Sequence, residues 1–304
     1  MEGDFLRQAE DTNVSWDGIV RQSTKKATLI RRFGARVIGI VTGANRHDPA
    51  AWAALSDCDL AEFRADTFLA ESGNPDPSRL VDEFLSFQSE CDRRGLAIQT
   101  LLTIRLRRDG GAWPDSQSDG RAGIWEALVR GGTDPVPDWM DIEIEEFPRL
   151  SASLRNGLSA SRVQLLLSHH DFAGCPSRDR LSALLREMLA ARPAGVKFAV
   201  SCATRAEVLA LMDFAREAAN APQACVLSMG AVGRAMRVLG PVLGCPLAYG
   251  YLAGPAVAPG QLSATEIGRR LDRFSADLPG DLLSPGAEPR LLDWAEARLQ
   301  GEPA

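Results

Sequence analysis

No stretch of this sequence is apolar for long enough to cross a bilayer as a helix. The opening Met1-Glu2-Gly3-Asp4 lacks the basic start and apolar core of a secretory signal, so a cytoplasmic location is expected. There is no excess of positive charge either: 34 Lys and Arg against 40 Asp and Glu leave a net charge of −6. That argues against a nucleic-acid partner, and any anionic ligand must be held by local arginines. Cysteine occurs at 58, 91, 175, 202, 225 and 245 with no Cys-x-x-Cys pair, a pattern of reduced, buried thiols and not of disulfides or zinc. No metal site is expected. A Gly-rich dinucleotide fingerprint is also missing, since the first strand leads into Thr42-Gly43-Ala44-Asn45-Arg46. Histidine is scarce, with three in 304 residues, and two of them are adjacent.

What is present is a rhythm. After a polar, mixed-charge stretch, expected to be a loosely held N-terminal extension over residues 1–35, apolar and β-branched runs recur at Val37–Val41, Leu60–Ala65, Ala97–Arg105 and Met140–Ile144. They continue at Val163–Ser168, Gly195–Ser201, Ala224–Ser228 and Leu247–Leu252. Helical spacing separates them, as in Leu80/Phe84/Phe87/Cys91 and Leu181/Leu184/Leu185/Met188. Thr204-x-x-Glu207 and Ser263-x-x-Glu266 predict capping boxes at helix starts. Eight strands alternating with helices predict an α/β fold, a (β/α)8 TIM barrel over residues 36–277. A doubly wound open sheet is the alternative, though it would usually carry fewer strands. Residues 278–304 form a C-terminal tail with one short helix, Arg290 to Leu299, packed on the outside.

In such a barrel the outer face of each strand packs on helices, so polar side chains must face the interior. Residues two apart share a face. That groups Glu62, Arg64 and Asp66 on one strand, Thr103 with Arg105 on the next, then Asp141 with Glu143. Lys197 falls with Ala199 and Ser201, small residues that leave room beside an amine. Burying so much charge is costly unless the groups pair with each other or with a ligand. The stretch Val163 to Ser201 supplies the chemistry. It holds His169-His170 where an apolar strand runs out and a lone lysine inside the next strand. A base beside a desolvated amine is the apparatus of imine chemistry on a carbonyl. The competing readings are a solvated histidine with a snorkelling lysine, and a purely structural ion-pair network. Parity does not choose between His169 and His170.

These residues, in this order, resemble type I 3-dehydroquinate dehydratase. The carrying motifs are Glu62-Phe63-Arg64-Ala65-Asp66, Thr103-Ile104-Arg105, Gly110-Gly111, Asp141-Ile142-Glu143-Ile144 and Ser168-His169-His170-Asp171-Phe172. Val196-Lys197-Phe198-Ala199, Ser228-Met229-Gly230 with Arg237, and Ala258-Pro259-Gly260-Gln261 complete them. The resemblance covers residues 36 to about 277. It implies a cofactor-free barrel, commonly a homodimer, acting on the small molecule 3-dehydroquinate. It further implies that Lys197 forms the Schiff base and that His170 is the general acid/base. Glu62, Arg64 and Arg105 would hold ring hydroxyls, Arg237 the carboxylate, and Gln261 a loop that closes over the substrate. An amine must be neutral to attack a ketone, and burial beside arginines favours that form.

Three positions depart from the pattern. The family's glutamate four residues after the Thr-x-Arg arginine, a partner of the catalytic histidine, is Asp109 here, one methylene shorter. The serine of the closing loop is Val257, and a serine often found on the first strand has no clear match between Gly39 and Thr42. The strand 8 aromatic is Tyr249. The changes at 109 and 257 also suit a paralogue that dehydrates a modified dehydroquinate. A non-catalytic metabolite sensor is argued against by Lys197 and His170, and a class I aldolase by Arg237 and Gln261, which suit a carboxylate better than a phosphate.

Overall fold

Short β-branched runs, each closed off by a turn, become eight parallel strands in the computed structural model. It describes residues 33–68, 77–130, 136–254 and 260–300. The expected extension over residues 1–35 therefore lies almost wholly outside the described residues. The chain alternates β1 (Arg36–Val41), α1 (Pro49–Leu55), β2 (Leu60–Arg64), α2 (Pro77–Arg93), β3 (Gln99–Thr103) and α3 (Gly120–Arg130). It continues through β4 (Trp139–Glu143), α4 (Ala152–Ala160), β5 (Gln164–Asp171), α5 (Arg178–Ala190), β6 (Gly195–Ser201) and α6 (Arg205–Ala218). The last elements are β7 (Ala224–Met229), α7 (Met236–Val242), β8 (Leu247–Tyr251), α8 (Ala264–Asp277) and α9 (Glu288–Gln300).

Each strand from β2 to β6 pairs in parallel with both of its sequence neighbours, β7 pairs with β6, and β8 returns to pair with β1. That return makes the architecture a nearly closed (β/α)8 barrel and not an open sheet. β7 and β8 end the ladder and face each other across a seam lined by Cys225, Leu227, Leu247, Tyr249 and Arg237. Alternation divides the apolar residues into two cores. Ile38, Leu60, Leu101, Trp139, Leu166, Cys225 and Leu247 fill the barrel. Phe63, Leu102, Met140, Ile142, Leu167, Val196, Phe198 and Val226 point outward and meet the helices. This is why the strands look continuously apolar at one end and charged at the other.

Three local expectations change. β5 does not end at Ser168: it runs on through both histidines to Asp171, because β6 continues to pair with it, His170 opposite Ala199 and Asp171 opposite Val200. The capping box at Thr204 is complete, whereas Ser263 caps α8 without reciprocity. The Glu266 carboxylate instead bonds Arg270 at 2.5 Å, one turn ahead on the same helix. The terminal helix α9 starts two residues before the expected Arg290 and lies against the outer layer. Glu288 pairs with Arg216 at 2.5 Å, and Trp294 meets Phe274 edge to face at 4.7 Å.

Close packing of β8 rests on glycine. Gly250 lies opposite Gly39 in the β1–β8 ladder. A Cβ at 250 would sit 2.4 Å from the Ala264 nitrogen and 2.5 Å from its Cα, where the first turn of α8 presses on the strand. Backbone on both sides cannot yield as a side chain could. Gly250→Ala is expected to destabilise the barrel by about 2 kcal/mol, measured by denaturant unfolding; an unchanged midpoint would show that α8 does not bear on β8 this closely.

Candidate active site

Strand parity and the loops that follow the strands bring all eight candidate side chains to one place. Glu62, Arg64, Arg105, Asp109, His170, Lys197, Arg237 and Gln261 line a single cavity of about 100 Å³ at the C-terminal mouth of the barrel. A larger groove of about 350 Å³ lies on the outside between α1 and α2, with Arg46, Glu83, Glu90 and Arg94 on its walls. Its charges pair among themselves, as Arg46 does with Glu83 and Arg94 with Glu90, and it holds no buried nucleophile. Chemistry, and not volume, marks the inner cavity as the site.

Lys197 occupies the middle of β6, in register with Ser168 on β5. Its Nζ lies 3.4 Å from Asp141 Oδ2, 3.7 Å from Glu62 Oε1 and 3.9 Å from the centre of the Tyr249 ring. The groups nearest the amine are thus carboxylates, where the sequence suggested arginines. Arg105 takes up the other side of the same carboxylates. It donates to Asp141 at 2.5 Å, to Glu143 at 3.1 Å and to the Ser168 hydroxyl at 2.9 Å. Ser168 in turn donates to Asp141 Oδ1 at 2.5 Å, and Thr103 donates to Glu62 at 2.9 Å. Burial alone would raise the Asp141 carboxyl, but Arg105, Lys197 and the Ser168 hydroxyl together hold it below the usual range. Burial likewise opposes the charge on Arg105, and Asp141 and Glu143 outweigh it. Arg64 is clamped separately, with both Asp66 oxygens at 2.9 Å.

The two histidines separate by face. His169 points out of the barrel, 2.6 Å from Glu145 through Nδ1 and edge-on to Phe198. His170 points into the mouth, where Arg105 Nη1 stands 3.3 Å from its Nδ1. A guanidinium only donates, so Nδ1 carries the lone pair in this arrangement. The imidazole is held well below its ordinary 6.5, first by burial and then by the positive charges of Arg105, Lys197 and Arg64. At neutral pH it is an unprotonated base.

The remaining candidates sit at the rim. Asp109 follows β3 in a single turn (Arg107–Asp109), and its ion pair is with Arg108 at 3.6 Å, while His170 takes its contact from Arg105. Burial, and then the Glu143 charge, push the Asp109 carboxyl up to about 6. Arg237 is buried at the start of α7, and burial lowers its guanidinium to about 10, still a cation at neutral pH. Gln261 is brought in by Gly260, whose φ of +69° and missing Cβ let the chain lie against the Gly230 carbonyl, 2.4 Å from where a Cβ would be. Val257, with the rest of 255–259, lies outside the described residues.

Sequence reasoning missed Arg121. Fully buried on α3, it donates to Glu143 at 2.8 Å and to the Ile104 carbonyl at 2.9 Å, and it reaches Glu146 at 3.2 Å. A helix residue that reaches through the strand layer leaves no period-2 signal. The lysine count was a usable signal: only Lys25 and Lys26 accompany Lys197 in the chain. Among the described residues no cluster of His, Cys, Asp and Glu side chains could hold a metal ion, and no helix is long and apolar enough to cross a membrane.

A parallel barrel with a buried amine, a neutral imidazole and arginines converging on its C-terminal mouth defines a barrel with an enzyme-type site. The profile of the type I 3-dehydroquinase family matches residues 40–276, and the chain belongs to that family. It is 30% identical over 222 residues to a 3-dehydroquinate dehydratase of Enterococcus faecalis, covering 72% of this chain and 83% of that one. Over 225 residues it is 30% identical to a 3-dehydroquinate dehydratase of Methanothrix thermoacetophila, covering 74% and 86%. The fold is shared with the crystal structure of 3-dehydroquinate dehydratase from Geobacillus kaustophilus, with a TM-score of 0.68 and 24% identity over 81% of this chain and 93% of that one.

Two groups in the site are held at a cost. The Asp109 carboxyl at about 6 lies above its ordinary 3.8, so the folded protein binds that proton more tightly than the unfolded chain. Its contribution to stability is therefore present at acid pH and is lost as pH rises through 6. Asp109→Asn is expected to raise stability by about 1–2 kcal/mol at neutral to mildly alkaline pH, with the gain fading between about 6 and 4; a gain independent of pH would contradict the assignment. The Tyr249 hydroxyl is buried with no hydrogen-bond partner among the described residues. Removing an unsatisfied buried hydroxyl recovers about 1–2 kcal/mol, so Tyr249→Phe should melt higher than the wild type, and a lower melting point would mean the hydroxyl is bonded.

Proposed function

We propose that the protein dehydrates 3-dehydroquinate to 3-dehydroshikimate through an imine on Lys197. The observation that carries this is the pairing within one cavity of a buried lysine amine with an imidazole whose surroundings keep it neutral. Membership of the type I 3-dehydroquinase family supports the substrate and the net reaction.

In this reading the Lys197 amine adds to the C3 ketone, and loss of water leaves a protonated imine. Positive charge there draws electrons from C2, which makes the C2 proton removable by a weak base. His170 takes that proton. The resulting enamine expels the C1 hydroxyl, which leaves as water with the proton returned by His170, and hydrolysis of the conjugated imine frees the product. No cofactor is needed, because the imine is the electron sink. Accepting a proton at Nδ1 would set imidazolium against the Arg105 guanidinium. That makes His170 a base which gives its proton back readily, as one group serving both steps requires.

The arginines account for the rest of the substrate. Arg237 is a cation in an apolar seam, where a planar fork can hold a carboxylate through two oxygens. Glu62, Arg64 and Arg105 border the cavity at the level of the ring hydroxyls, and Gln261 closes one side. Asp141 and Glu62 stand where positive charge develops on the imine nitrogen, so they stabilise it without moving.

Borohydride added with dehydroquinate should reduce the imine and leave the substrate skeleton attached to the peptide bearing Lys197. With the other lysines confined to positions 25 and 26, the mapping is unambiguous. Lys197→Ala should fold, take no label and lose about 10⁴-fold or more in kcat. A folded wild-type protein that turns over dehydroquinate without trapping label on Lys197 would sink the imine mechanism.

A further inference from the structure

The reaction leaves all six thiols unused, and two of them are neighbours across the β5–β6 ends. Cys175 lies in the turn after β5, five residues beyond His170, and Cys202 directly follows β6, five residues beyond Lys197. The backbone nitrogen of Ser201 donates to the Gly174 carbonyl at 3.0 Å, which carries the β5–β6 pairing past the strand ends and sets the two cysteines side by side. The Cys175 thiol faces the Pro176 carbonyl at 3.7 Å, and each of the two thiols shifts the ionisation of the other. Cys202 is buried, and its nitrogen is fixed to the Ser228 hydroxyl at 3.2 Å; Cys175 is half-buried and within reach of a small solute. The other four cysteines are fully buried. The turn that carries Cys175 also carries Phe172, which lines the catalytic cavity. Its ring lies against Gly110, 2.3 Å from where a Cβ would stand.

We propose that Cys175 and Cys202 form an oxidisable dithiol which closes to a disulfide on exposure to hydrogen peroxide, and that the bridge fixes the β5 turn and slows turnover. The Cys202 thiolate attacks one peroxide oxygen, the O–O bond breaks, and the departing hydroxide takes a proton to become water. The sulfenic acid so formed is attacked at sulfur by the Cys175 thiolate, the S–O bond breaks, and the second oxygen leaves as water. Two thiols are oxidised by two electrons in total, and one peroxide is reduced to two waters. Their proximity favours this order of events. The neighbouring Cys175 thiol, against the effect of burial and with help from the Ser228 hydroxyl, lowers Cys202, while the same proximity raises Cys175. Cys202 is therefore the first thiolate and Cys175 the resolving thiol.

The bridge would tie together two strand ends that now share only hydrogen bonds. Lys197 and His170 lie inside those strands and stay in place, so the expected effect falls on the turn bearing Phe172 and on the closing and opening of the mouth.

The test treats the purified full chain with stoichiometric peroxide and reads the intact mass without reductant. A loss of two hydrogens, one crosslinked peptide joining Cys175 to Cys202, and reversal by dithiothreitol are expected, with none of these in Cys175→Ser or Cys202→Ser. The bridged protein should turn over about threefold or more slowly, while both serine variants keep their activity after the same treatment. Oxygen added at Cys202 without a crosslink, a crosslink between other cysteines, or a bridge that leaves turnover unchanged would overturn the proposal. The mass readout does not depend on the dehydratase reading, so the two can fail separately.

Discussion

The site depends on a single buried guanidinium. Arg105 bonds Asp141 and Glu143 from β4 and Ser168 from β5, and it faces His170 beyond them. Without it, two carboxylates would be left in the barrel interior, at a cost of several kcal/mol for each uncompensated ion. Each of its partners holds something else. Asp141 holds Lys197, Glu143 is shared with Arg121, and Ser168 is the β5 neighbour of Lys197. Lys197, His170 and the outer helix layer are thus coupled through one planar fork, a geometry that lysine could not reproduce at this position.

Much of this was legible because it obeys period two. Once the strands are taken as parallel and covered by helices, the polar residues have only the interior to occupy, and Glu62, Arg105, Asp141 and Lys197 follow. The extent of β5 was not legible. A strand that stops being apolar looks finished, but the pairing of His170 with Ala199 is a backbone matter to which side-chain hydropathy is blind. Arg121 was hidden for the opposite reason: it belongs to a helix pattern, and only the packing of α3 on β4 turns it toward Glu143. The half-made cap at Ser263 shows a third kind of limit. The motif is present, but Glu266 has a better partner in Arg270 one turn on, and a charged bond outcompetes reciprocity.

The short side chain of Asp109 sets what the loop after β3 does. The shorter carboxylate stays with Arg108 at the rim, and Arg108 and Arg121 share Glu146 behind it. The loop is therefore anchored to α3 and to the end of β4, and His170 is left to Arg105. Support for the imidazole comes from a cation that lowers its basicity and not from a carboxylate that would raise it. The consequence is an imidazole that stays unprotonated to lower pH.

That trade explains why the interior can bear unfavourable groups. An Asp109 carboxyl raised to about 6 and a Tyr249 hydroxyl with no partner among the described residues are each disfavoured on folding. Both lie in or beside the cavity, while the apolar residues of the barrel floor and the outer core are closely packed. The cost is confined to the cavity that Asp109 and Tyr249 both line, so a ligand that met these groups would offset it.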